Sequence, residues 1–220
     1  MGRMAGPMAS GLVDCGGAGQ RLMMRIGILG GSFDPVHRGH LGVAGAVADG
    51  LALDRVWLMP AAQAPLRDAG VRATGEQRAA MVKVALAEFG DARMECCDRE
   101  LRRGGVSYTV ETLRALRAER PDDVFTWIVG ADQWARLGEW REPAELARLA
   151  EWAVYARPGQ GEIGLPAVAG LRWRKVEAPR TWEISSTEVR RRLAAGEDAS
   201  TWVPDKVIEY IRENGLYAAH

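Results

Sequence analysis

From residue 25 onward, short apolar runs alternate with longer amphipathic stretches, the pattern that strands and helices of a mostly parallel sheet produce. The runs predict strands over 25–29, 55–59, 93–97, 124–129, 152–156 and 171–176. Most are short and continuously apolar, as strands covered on both faces are. Between them, Thr74 and Gln77 have capping-box spacing, and Val82, Ala85, Leu86 and Phe89 fall on one helical stripe, which is expected to be core. Val110, Leu113 and Leu116 mark a further helix that must end before Pro121. Residues 204–214 read as a terminal helix with Gly215 just past its end. The stretches 60–75 and 157–170 are loop-rich, no internal repeat is present, and the fold class is α/β.

Length and composition narrow the picture. A chain of 220 residues, 47% of them hydrophobic, can form one sizeable core or a core plus a small appendage. Residues 1–23 are rich in Gly, Ala and Met, with no apolar stretch of signal-peptide type and no periodicity. They are expected to be a disordered extension, or to reflect an over-long start, with residues 24–220 forming a single domain. Lys and Arg number 29 against 29 Asp and Glu, so net charge argues against a nucleic-acid coat or a polybasic membrane binder. A phosphate ligand must therefore be held by a local site. No window approaches the roughly 18 apolar residues of a membrane span. Cys15, Cys96 and Cys97 make no disulfide framework, which fits a reducing cytoplasm, and the adjacent pair reads as inert.

The first chemical signal is Gly30-Gly31-Ser32-Phe33-Asp34-Pro35-Val36-His37-Arg38-Gly39-His40, where the first strand ends and the first helix should begin. Two of the three histidines lie here. A glycine pair after a strand lets the backbone turn sharply and approach a ligand, and the helix that follows points N–H groups at an anion. His37 and His40 would share one face of the first turn and suit polyphosphate contact. A glycine turn followed by two solvent-facing histidines accounts for the same residues. Metal binding by the pair is disfavoured, because no third ligand has matching spacing.

The second signal is Ile184-Ser185-Ser186-Thr187-Glu188-Val189-Arg190. Ser185 and Glu188 are spaced as a capping box, and taken alone the segment is a well-capped helix. It also reads as a second anion site, with backbone N–H groups, the Ser186 and Thr187 hydroxyls and the Arg190 guanidinium surrounding phosphate oxygens.

Together these motifs resemble the HxGH nucleotidyltransferase superfamily, and the rest of the chain is similar to one branch of it, the bacterial nicotinate-nucleotide adenylyltransferases. The resemblance runs from about Met24 to Tyr217. It includes Arg99-Glu100-Leu101-Arg102-Arg103, Ser107-Tyr108-Thr109, Ile128-Val129-Gly130-Ala131-Asp132, Trp140, Ala156-Arg157-Pro158-Gly159 and the closing Gly215-Leu216-Tyr217. It implies a Rossmann-like, doubly wound sheet with a small C-terminal helical part. The implied reaction is transfer of AMP from ATP to nicotinate mononucleotide, giving deamido-NAD and pyrophosphate, with Mg²⁺ carried by ATP. Attack by the mononucleotide phosphate on the α-phosphorus needs no protein nucleophile, so catalysis reduces to positioning and charge neutralisation.

By the same resemblance, Gly30, Gly31, Ser32, Phe33 and Asp34 belong to the ATP site, Asp34 shaping the loop. Gly130, Asp132 and Arg157 border the nucleotide, and Ser186 and Thr187 hold its phosphates. His37, His40 and Arg190 act on the triphosphate in the transition state. Trp140 would stack on the pyridine ring, with Tyr108, Thr109 and the backbone near Arg141 at the nicotinate carboxylate. Without the resemblance, Trp140 reads as packing, Tyr108 and Thr109 as a helix start, Asp132 as an N-cap and Arg157 as a surface arginine. One loop, 60–67, departs from the family pattern. Ala64, Leu66 and Arg67 stand where relatives often have Asn, His or Leu, and Lys, so Arg67 would supply charge as a planar fork rather than a point. Two other readings stay open: a related enzyme taking nicotinamide mononucleotide or phosphopantetheine, and a non-catalytic nucleotide sensor. The expected partners are the two nucleotides, with no nucleic acid or membrane, and the chain a monomer or homodimer.

Overall fold

The computed structural model describes residues 22–65, 70–156, 163–177 and 184–218. Of the expected N-terminal extension only Leu22 and Met23 fall within this set, and both are exposed. All six expected strands are present: β1 Arg25–Gly31, β2 Arg55–Pro60, β3 Met94–Cys96, β4 Val124–Gly130, β5 Glu151–Ala156 and β6 Trp173–Glu177. They form one sheet in the order β3-β2-β1-β4-β5-β6, and every neighbouring pair is parallel. This is the doubly wound order, whose direction of winding reverses between β1 and β4.

Side chains alternate across the strands and divide the core into two layers. Val56 and Leu58 of β2, Ile128 of β4 and Ala153 of β5 face one layer. Trp57, Met59, Phe125, Trp127, Val129, Trp152 and Val154 face the other. The first layer is closed by α1 (Arg38–Gly50), α2 (Gly75–Phe89), α7 (Ser186–Ala194) and α8 (Asp205–Glu213). The second is closed by α4 (Thr109–Glu119), α5 (Ala131–Ala135) and α6 (Pro143–Leu149), the last two joined by a 3-10 turn at Leu137–Glu139. A short helix, α3 (Arg99–Arg103), follows β3.

Local chemistry sets the helix ends. Thr74 and Gln77 make the full capping box that starts α2, and Gly90 ends it at φ 77°, a left-handed conformation suited to glycine. Pro204 precedes α8, and Gly215 follows it at φ 60°. Three expectations need correction. Phe89 is 44% exposed in the last turn of α2, so the stripe is fully buried only to Ala85, with Leu86 partly buried against the core. Ser185 accepts from the Glu188 N–H at 3.2 Å, but the Glu188 carboxylate turns to Arg191 and Arg192, leaving half a capping box. Asp132 is not an N-cap: Gly130 occupies that position and Asp132 sits in the first turn of α5. Among the described residues, no helix is long and apolar enough to cross a membrane.

Candidate active site

Strand polarity puts the ends of β1 and β4 side by side at the switch point, where parallel α/β sheets bind ligands. A cavity of about 520 Å³ opens there. Gly30 and Gly31 belong to β1 itself rather than to a turn after it, and both have ordinary backbone angles. Gly30 is needed for close approach: a Cβ there would lie 2.9 Å from the Trp127 ring. The turn falls at Phe33, at φ 49°, held in that left-handed conformation by a side chain only 2% exposed.

Two groups of expected site residues meet across this cavity. Gly30, Gly31, Ser32, Gly130 and Asp132 line one part. Tyr108, Thr109, Trp140 and Arg141, from α4 and the segment after the 3-10 turn, line the same cavity. Trp140 meets Trp152 edge to face at 6.0 Å, and among the described residues its buried indole N–H has no partner, so packing holds the ring. Arg141 lies over the Tyr108 ring at 4.7 Å and pairs with Glu111 at 2.8 Å. Tyr108 and Thr109 do start a helix: Tyr108 is the N-cap of α4, and no side chain caps that end. Its outward N–H groups and the helix dipole favour an anion.

The remaining motif residues, His37, His40, Ser186, Thr187 and Arg190, are not on the cavity wall and form a second group, joined through the loop that follows Ser32. His37 is the N-cap of α1, just outside the first turn rather than in it, and His40 is at the third helical position. Their rings stack at 3.7 Å, and the His37 backbone N–H donates to His40 Nδ1 at 3.2 Å. A neutral His40 accepting at Nδ1 carries its proton on Nε2, which makes that nitrogen a donor. No acidic residue lies in the first turn of α1 to offset the dipole. The helix α7 is tied to this group, because Ser186 Oγ donates to the Pro35 carbonyl at 2.9 Å and Arg190 Nη1 donates to the Asp34 carbonyl at 2.7 Å. Arg190 Nη2 donates to Thr187 Oγ1 at 3.3 Å.

Phe33 and Asp34 are buried beside the cavity rather than on its wall, and Asp34 sits where the expected loop-shaping role puts it. Phe33 is core and meets His40 edge-on at 5.0 Å. Asp34 is 1% exposed, and its carboxylate accepts from the Arg72 and Ala73 N–H groups and from the Tyr217 hydroxyl at 2.5 Å. It holds the loop rather than a ligand. Arg67 and Arg157 lie outside the described residues.

Three supporting residues were given no role by the sequence, although Glu100 and Tyr217 lie in segments that carry the family resemblance. Arg78, 3% exposed, donates to the carbonyls of Ser32 at 2.8 Å, Ala73 at 3.3 Å and Ala62 at 3.5 Å, tying the loop after β1 to both ends of the connection between β2 and α2. Burial pulls its guanidinium pKa down, and Asp34 opposes the shift. Its signal was a charge four residues before Val82, on the stripe expected to be apolar. Tyr217, pushed up by burial and by its bond to Asp34, ties the chain's end to the same loop. Glu100, 4% exposed, lines the cavity. The Cys96 thiol, pushed up to about 12 by burial, is inert as expected.

Fold and site define a nucleotide-handling α/β protein of the cytidylyltransferase-like class, whose family model matches residues 28–192. Probable nicotinate-nucleotide adenylyltransferases of Opitutus terrae and Chromobacterium violaceum are 44% and 41% identical to the chain, each match covering 88% of it and 98% of the relative. The chain belongs to this nicotinate-nucleotide adenylyltransferase family. A solved nicotinic acid mononucleotide adenylyltransferase of Plasmodium falciparum, complexed with NaAD, has the same fold. It gives a TM-score of 0.72 at 20% identity, covering 88% of this chain and 97% of that one.

Proposed function

We propose that the chain joins the AMP part of ATP to nicotinate mononucleotide, forming deamido-NAD and pyrophosphate in NAD synthesis. One observation carries this reading: a single cavity at the switch point unites Gly30, Gly31 and Ser32 with Trp140 and the uncapped start of α4. One part offers backbone to a nucleotide; the other offers an aromatic face and N–H donors to an aromatic acid. The names of the relatives at 41–44% identity support the same substrates.

The chemistry follows from the layout. ATP lies along the end of β1, its adenosine bordered by Gly130 and Asp132 and its phosphates running toward His37, His40 and α7. Trp140 stacks on the pyridine ring, and Thr109 and the backbone at Arg141 receive the carboxylate. The mononucleotide phosphate oxygen then attacks the α-phosphorus; the new O–P bond forms as the bond to the pyrophosphate oxygen breaks. His40 Nε2–H, His37, Arg190 and the start of α1 meet the charge that builds on the leaving group. Ser186 and Thr187 hold its far phosphates, with Arg67 and Arg157 assigned by resemblance alone.

Mg²⁺ fits this chain as an ion carried on phosphate oxygens. Of the acidic side chains on the cavity wall, Glu100 is buried among hydroxyls and Glu139 pairs with Arg136 at 2.7 Å, while Asp132 is exposed beside Gly130. When bound, the ion neutralises phosphate charge. Residues 24–220 act as one domain in this reading, supported by the continuous sheet, and a reducing, cytoplasmic setting fits the free thiols of Cys96 and Cys97.

The test is pyrophosphate release from Mg²⁺-ATP with nicotinate mononucleotide, nicotinamide mononucleotide and phosphopantetheine in parallel. Strong preference for the first is expected. Preference for another acceptor would overturn the Trp140 and Thr109 assignments, and silence with all three would favour a sensor.

A further inference from the structure

Beneath the acceptor end of the cavity lies a buried polar network that the reaction does not directly use. Glu100 Oε1 accepts from the Thr112 hydroxyl at 2.7 Å, and Thr112 is fully buried in the second turn of α4. Arg103 Nη1 donates to the same hydroxyl oxygen at 3.1 Å, which directs the Thr112 proton at Glu100. The Ser107 hydroxyl also bonds Glu100, while Ser107 Oγ accepts from the Ala62 N–H at 2.9 Å and the Ser107 N–H donates to the Gln63 carbonyl at 2.8 Å. One carboxyl group thus links α3, the loop before α4, α4 itself and the 61–63 loop.

These are the segments that carry Tyr108 and Thr109 and the cavity wall at Ala61 and Ala64. Among the described residues no side chain caps the half-buried start of α4, so its direction depends on what anchors its first two turns. We propose that Glu100 is a positioning residue for the acceptor, fixing the start of α4 against the 61–63 loop so that the N–H groups there meet the acceptor's carboxylate. Burial raises the Glu100 carboxyl while the two hydroxyls and Arg103 lower it, as expected of a group retained despite its cost of burial. The proposal rests on the reading that the acceptor occupies the Trp140 end of the cavity.

The test compares Glu100→Ala, Glu100→Gln, Thr112→Val and Trp140→Ala in steady-state kinetics with both substrates varied, alongside thermal melting. Glu100→Ala is expected to raise the acceptor KM about tenfold, the effect of losing roughly 1.4 kcal/mol of alignment, with the ATP KM within about twofold. Glu100→Gln, which keeps an acceptor oxygen, is expected to recover most of that loss. Thr112→Val should move the acceptor KM in the same direction, and it carries the test alone if Glu100→Ala does not fold. Equal rises in both KM values, or an unchanged acceptor KM, would overturn the proposal. If Trp140→Ala leaves the acceptor KM unmoved, the acceptor's placement fails instead. If Trp140→Ala raises it and the Glu100 and Thr112 variants do not, only the positioning role fails.

Discussion

Replacing Arg78 by methionine keeps most of the side-chain volume and removes the guanidinium that ties the loop after β1 to the connection between β2 and α2. The carbonyls of Ser32, Ala73 and Ala62 then lose donors at 2.8, 3.3 and 3.5 Å. The last is too long to count for much. Each of the other two leaves a carbonyl short of a charged donor, at about 1–3 kcal/mol, so the loss is about 2–4 kcal/mol once relaxation and water entry are allowed for. In a domain of this size each kcal/mol lowers Tm by about 2–4 °C, which gives a drop of roughly 5–15 °C. Asp34 also loses one of its two cationic neighbours, keeping Arg190 at 3.6 Å, and the Ser32 loop loses its tether beside the cavity. Thermal unfolding by circular dichroism reads the stability, and the KM for ATP reads the loop. Arg78→Lys keeps the charge but not the planar fork, and is expected to restore about half of the loss. A methionine variant that melts within about 2 °C of the parent would refute the reasoning, because the guanidinium would then be dispensable to the loops it bridges.

Three further outcomes are expected. His40→Ala should lower kcat by about two to three orders of magnitude, as removal of one preorganised donor does, without lowering Tm by more than a few degrees; near-normal turnover would remove His40 from the mechanism. Trp140→Ala should raise the acceptor KM at least about fivefold, since stacking on an aromatic side chain contributes about 1–3 kcal/mol, while the ATP KM holds; equal weakening of both would place the ring elsewhere. Burial raises Glu100 above its ordinary 4.5, so the native state favours the acid form, and the parent loses that stability as pH rises through the raised value. The Tm of Glu100→Gln relative to the parent is therefore expected to increase as pH rises above about 4.5, measured by differential scanning fluorimetry, and a flat difference would contradict the assignment.

Much of the fold was legible because its determinants are local. Both faces of the sheet are covered, so its strands read as apolar runs, and the capping box at Thr74 and the glycines at 90 and 215 mark helix ends. The helices α3 and α5, five residues each, and α6, seven, are too short to show a period. The site was legible in pieces. The two phosphate motifs stand out by residue type, whereas Trp140 reads as packing in any local view and was placed only through family resemblance. What sequence reasoning missed is the support beneath the site. Tyr217 reaches Asp34 across 183 residues and Arg78 reaches Ser32 across 46, and no local pattern predicts which distant backbone a buried charge will hold. For the same reason Asp34, placed within a phosphate motif, turned out to face the protein rather than the cavity.

The central claim is that this chain works by positioning two nucleotides for direct transfer, with no covalent protein intermediate. The most direct measurement is the stereochemical course at the α-phosphorus, using ATP made chiral there by a sulfur substituent and nicotinate mononucleotide as acceptor. A single in-line displacement predicts inversion of configuration in the dinucleotide product. Retention would mean two displacements through an adenylylated side chain, and would contradict the account.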